Sequence, residues 1–153
     1  MNTEKMDVRA AHDYFSKQCF NSAWDLIEKG NKAENEILAM IHTAHASVYH
    51  WLRRVDCTDQ NLSIGYWQLS HMYALIGEGG NAFRYAEICK KHSKMHGVAS
   101  VFLGYAYEAL ARALSITGNQ EDKVKYLEKA RQLAQTLPDD DREQLLGDLA
   151  DVK

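Results

Sequence analysis

The stretch Tyr66 to Cys89, YWQLSHMYALIGEGGNAFRYAEIC, returns in altered form as Tyr107 to Ala130, YEALARALSITGNQEDKVKYLEKA, and this internal repeat limits what the chain can fold into more than any other feature. At an offset of 41 (118 minus 77), Tyr66 falls on Tyr107, Leu69 on Leu110, Ser70 on Ala111, Gly77 on Gly118, Tyr85 on Tyr126 and Cys89 on Ala130. Each copy holds an apolar-periodic segment, a Gly turn and a second apolar-periodic segment, the sequence form of a helical hairpin. Only one Pro occurs, Pro138, and no strictly alternating run of β-branched residues appears, so an all-α class is expected.

The helices follow from the spacing. A first is expected from about Met6 to Lys29, stopping at Gly30-Asn31, with Val8, Phe15, Cys19, Ser22 and Leu26 on one face and Phe20 and Trp24 on another. A second, from about Ala33 to Val55, carries a core stripe of Ile37, Ile41, Ala44, Val48, Trp51 and Val55, bordered by His42, His45, Tyr49 and Arg53. The third runs from about Asn61 to Ile76, the fourth from Gly80 to about Met95, and the fifth from about Val98 to Thr117. Gly104, Ala106, Ala109, Ala111 and Ala113 make the fifth the expected central helix, because small residues let neighbouring backbones approach. The sixth opens at Asn119 with Glu121 and Asp122 in its first turn, and Asp139, Asp140 and Asp141 begin a short last helix, where carboxylates suit the helix dipole. Such a helix, apolar through Leu145, Leu146, Leu149 and Val152, would cap a stack.

Each copy resembles a tetratricopeptide unit on Tyr66, Leu69, Ser70, Tyr73, Gly77, Ala82 and Tyr85, while the second copy departs at Leu114 and Lys123. The usual unit is about 34 residues, so the spacing implies roughly seven more, close to two helical turns, which lengthens helices without rotating their buried faces. HASVYHW, YEALARA and DREQLLGDL also look like a group of small bacterial repeat-like proteins of unassigned function. The resemblance implies about seven helices as stacked antiparallel hairpins, a tetratricopeptide-like superhelix with a C-terminal capping helix, formed by residues 1–153 as one domain.

Composition bounds the function classes. A net charge of −3 and a pI near 6.1 give no global attraction to nucleic acid or an anionic membrane. The basic run Arg84, Lys90, Lys91, Lys94 reads as a solvated helix face. The N-terminus, MNTEKMDVRAAHD, has no apolar run of signal-peptide length, and Cys19, Cys57 and Cys89 show no CxxC spacing, so a cytoplasmic chain with reduced thiols is expected. GEGGN joins two helices rather than a strand and a helix, so no phosphate loop is read there.

Several constellations carry candidate chemistry. Cys89, His92 and His96 share one side of a helix and have metal-ligand character, but no partner motif completes four ligands. His42 and His45, one turn apart, could bind a metal or act as acid and base, yet no nucleophile or paired carboxylate accompanies them. Glu108 and Arg112 form an i, i+4 pair, which by itself reads as a surface salt bridge. The repeat alignment sharpens that pair, because Glu108 corresponds to Trp67 and Arg112 to His71. In tetratricopeptide-like stacks those places face the concave groove. The Gly-based offset of 47 (77 minus 30) adds Phe20 and Trp24. Phe20, Trp24, Trp67, His71, Glu108 and Arg112 are therefore the expected binding surface, with Trp51 expected in the core. The carboxylate-clamp variety of the family does not fit, since Trp, His, Glu and Arg stand where it uses Lys and Asn. The reading is a non-enzymatic protein or peptide interaction module without a cofactor, and isologous pairing into a homodimer is expected. The competing class is a small-molecule or metal-binding protein, with or without enzyme activity, built on the His-rich second helix.

Overall fold

The computed structural model describes residues 7–153, which form seven α-helices and, among those residues, no strand. Met6, expected to open the first helix, lies outside them. The helices are α1 Val8–Glu28, α2 Glu34–Leu52, α3 Asp59–Leu75, α4 Gly79–Ser93, α5 Ser100–Thr117, α6 Gln120–Ala134 and α7 Asp139–Ala150. Each follows its expected segment to within a few residues. They gather into two compact units, 1–58 and 59–153.

In the first unit α1 packs on α2. Asp7 caps α1, accepting from the N–H groups of Arg9 at 3.0 Å and Ala10 at 3.2 Å. The buried face of α1 differs from the expected one: Ser16, Ala23 and Ile27 are buried, whereas Val8 and Phe15 are 56% and 43% exposed. The reason is close backbone approach. Ser47 of α2 donates its hydroxyl to the Ser16 carbonyl at 2.8 Å, a contact that only small residues at the crossing allow. Large side chains are displaced to the flanks. On α2, Ala44 and Val48 of the expected stripe are buried with Met40 and Ser47, while Val55 is 78% exposed because the helix has already ended at Leu52. Trp51 is half-buried rather than buried, with the Arg54 guanidinium 4.1 Å above its ring.

In the second unit α3 pairs with α4 and α5 with α6, α5 also contacts α3, α4 and α7, and α7 closes over α5 and α6. The repeat is reproduced in the backbone. Gly77 and Gly118 both take φ +80°, the left-handed conformation that favours glycine. Glu78 donates its N–H to the Tyr73 carbonyl at 2.9 Å, and Asn119 does the same to Leu114 at 3.1 Å, each bond spanning the same positions of its copy. Ser70 adds a hydroxyl bond to the Ala82 carbonyl at 2.8 Å, which Ala111 of the second copy has no group to make. Gly30 is not among the left-handed glycines, and residues 29–33 join α1 to α2 by a longer connection. The offset that related the first hairpin to the repeat therefore does not correspond to a shared turn.

The small residues of α5 are buried as expected, and α5 is the central helix of its unit. At Gly104 a Cβ would stand 2.5 Å from a Leu145 methyl and 3.2 Å from one of Leu133. This close contact seats α7. Asn119 caps α6 by accepting from the Asp122 N–H at 3.1 Å, and Asp139, Asp140 and Asp141 fill the first turn of α7.

Candidate functional site

Four of the six expected surface residues come together on α3 and α5. The repeat offset places Trp67 opposite Glu108, and the indole Nε1–H donates to Glu108 Oε2 at 3.1 Å. One turn further along α5, Arg112 donates from Nε at 2.7 Å and from Nη2 at 2.5 Å, both to Glu108 Oε1. The His71 ring stacks on Trp67 at 5.2 Å, and Tyr105 meets the Trp67 ring edge to face at 5.8 Å. Glu108 is 1% exposed, so the pair it makes with Arg112 is not the surface salt bridge that its i, i+4 spacing suggests. Trp67, reaching from α3, is one of the groups that cover it.

Burial governs the electrostatics. Desolvation raises the Glu108 pKa despite the opposing pull of Arg112 and Trp67. Burial, followed by the Arg112 charge, pushes the His71 imidazole down to about 4, so it is neutral at ordinary pH. Tyr105 donates to Asp148 Oδ2 at 2.9 Å, and burial first, then that bond, raises its hydroxyl. Arg112 holds Glu108 through Nε and Nη2, so Nη1 lies on the side away from Glu108. Arg112 and His71 border a cavity of about 540 Å³. Its other walls are Ala74, Leu75, Ser115 and Ile116, with Asp151, Val152 and Lys153 beyond α7.

Phe20 and Trp24 belong to the first unit, where they are half-buried on α1 and meet edge to face at 6.3 Å. Trp24 and Trp67 are partly exposed, as expected of a surface, but Trp51 is half-buried as well, so the expected contrast with a buried Trp51 is not found.

The other constellations separate. Cys89 is buried against the hydroxyls of Ser63 and Ser93, each 3.8 Å from its sulfur, and burial pushes its thiol up to about 11. His92 bonds Asp59 at 2.7 Å and stacks on Tyr66 at 5.6 Å, while His96 is exposed. His42 is exposed, and burial followed by the His42 charge lowers the His45 pKa. Among the described residues no group of three or more His, Cys, Asp or Glu side chains gathers as a metal site. The basic run acquires an aromatic setting in space that its sequence lacks. Lys90 lies 5.6 Å from the Tyr126 ring, and Lys129 covers Tyr126 and Tyr107 at 5.3 and 5.9 Å.

Two groups escaped the sequence reading. Arg54, with its side chain 7% exposed, grips Asp56 through Nε and Nη2 at 2.8 and 2.7 Å and donates to Ser16 Oγ at 2.9 Å. His12 and His50 face each other across the first hairpin. They are equidistant from Asn31 (31 minus 12 and 50 minus 31 are both 19), and in an antiparallel hairpin that symmetry is the signal that pairs them. No protein-family model, curated protein or solved structure matches the chain.

Proposed function

We propose that the protein is a non-enzymatic interaction module that holds a protein or peptide segment at the site of Trp67, His71, Glu108 and Arg112. One observation carries this reading. A buried carboxylate holds Arg112 by one side of its guanidinium at the border of a cavity, with Nη1 directed away from that carboxylate. An ion pair that served only stability would be replaced without loss by apolar side chains, since burying Glu108 costs several kcal/mol before Arg112 offsets it. Fixing the orientation of an arginine has another use. A guanidinium already held in place loses less freedom on binding, and its planar fork suits a carboxylate. Arg112 is thus the group that would take an acidic side chain of the partner, with Leu75, Ile116 and Val152 receiving an aliphatic neighbour. The neutral His71 imidazole supplies a polar contact without adding charge.

The test is a peptide-display selection on the immobilised protein, followed by binding of the enriched peptides to the native chain and to Arg112→Lys. Enrichment of Asp or Glu beside an aliphatic residue is expected, with affinity reduced by about tenfold or more in Arg112→Lys, as for an arginine hot spot. Peptides without an acidic preference, or affinity unchanged in that variant, would overturn the reading.

A further inference from the structure

The first helical hairpin carries a different chemistry from the α3–α5 site. His12 on α1 and His50 on α2 approach with their Nδ1 atoms 2.8 Å apart and their ring centroids 5.0 Å apart. We propose that this pair is a two-imidazole site for a divalent late first-row transition-metal ion, bound between the two Nδ1 atoms. The inference is independent of the peptide reading.

The geometry is close to what a metal needs. Two imidazole nitrogens about 2.0 Å from a metal stand about 2.8 Å apart at adjacent corners of a tetragonal centre and about 3.3 Å apart on a tetrahedral one, so the pair needs little separation, but the rings must turn to aim both lone pairs at a common point instead of at each other. In the metal-free pair one Nδ1 carries the proton and the other accepts it. Ligation through both requires that proton to move to Nε2 of the same ring, a change of tautomer with no change of charge. Aromatic neighbours flank both rings. Phe15 lies 5.5 Å from His50, and Tyr49 lies 6.1 Å from His12 and 5.4 Å from His50. Both imidazoles are half-buried, so an ion can reach them from solvent.

Nearby charge does not oppose a cation strongly. Arg54, one turn past His50, is engaged by Asp56, and Asp13 beside His12 lies 3.4 Å from its Nε. Two protein donors leave the remaining coordination positions to water or to a donor from outside the pair. Copper(II) is the appropriate probe, because imidazole suits it and it stands highest among the divalent first-row ions.

Protein purified without a polyhistidine tag and stripped with EDTA is titrated with copper(II) near neutral pH, with binding read by paramagnetic resonance and by broadening of histidine ring protons in NMR. One equivalent bound through nitrogen and released by EDTA is expected, with His12 and His50 broadened before His42, His45 and His92. Affinity should fall by at least about tenfold in His12→Gln and in His50→Gln, the lower end of the cost of losing even an outer-sphere contact. The double variant His42→Gln, His45→Gln should bind as the native chain does. Absence of a bound equivalent, broadening centred on other residues, or unchanged affinity in both single variants would overturn the proposal. The broadening pattern is read in the native chain, so the result stands even where a variant fails to fold.

Discussion

His71 shows how a single residue ties burial to pH. Its pKa in the folded chain is about 4, against an unperturbed 6.5, so between those values the unfolded chain binds the proton that the folded chain refuses. Stability from this group is therefore complete above pH 6.5 and is lost as pH falls toward 4, by up to about 3 kcal/mol. His45, lowered by burial, acts in the same direction, whereas Glu108, raised by burial, acts in the opposite one. Urea unfolding of His71→Gln at pH 5 and pH 7 is expected to show a smaller difference between the two than the native chain does. Trp67→Phe keeps the ring stack but removes the indole donor from a carboxylate that is 1% exposed. A loss of about 1 to 3 kcal/mol in the same unfolding measurement is expected, the cost of leaving a buried acceptor unsatisfied.

At the level of helices and turns, glycine positions divide by conformation. Gly77 and Gly118 have φ +80° with open space where a Cβ would go, so Ala at either is expected to cost about 1 kcal/mol or more from backbone strain alone. Gly147 lies inside α7 with nothing within 4 Å of a Cβ position, and Gly147→Ala is expected to stabilise by up to about 1 kcal/mol. Gly104→Val should lower the melting temperature, because the added atoms meet the fully buried Leu145. Thermal melts followed by circular dichroism read all four. The turn glycines and the small residues of α5 were legible in the sequence because each feature is local: a left-handed turn selects Gly, and a crowded crossing selects Gly or Ala. The burial of Glu108 was not legible, since it depends on how the neighbouring helices pack around α5. The buried face of α1 was missed for a related reason. Ser16 and Ala23 read as weak positions in an apolar pattern, but close packing favours them over Phe15.

Taken as a whole, the chain concentrates its buried side chains in the second unit, where five helices share a core around α5, while the first unit is a single hairpin. A fragment of residues 59–153 is therefore expected to melt cooperatively with a helical spectrum, whereas residues 1–58 alone are expected to be only partly helical, as a lone hairpin with few buried side chains should be. A fragment 59–153 without a cooperative transition would contradict this division. The bond from Trp67 to Glu108 joins residues 41 apart, at the same place in successive copies. One copy supplies the donor there and the other the acceptor, so the copies are complementary rather than interchangeable. Gene duplication of the second copy would set carboxylate beside carboxylate, and duplication of the first would set indole beside indole. This repeat cannot grow into a longer array by copying alone; the position of Trp67 and Glu108 would have to be rewritten first.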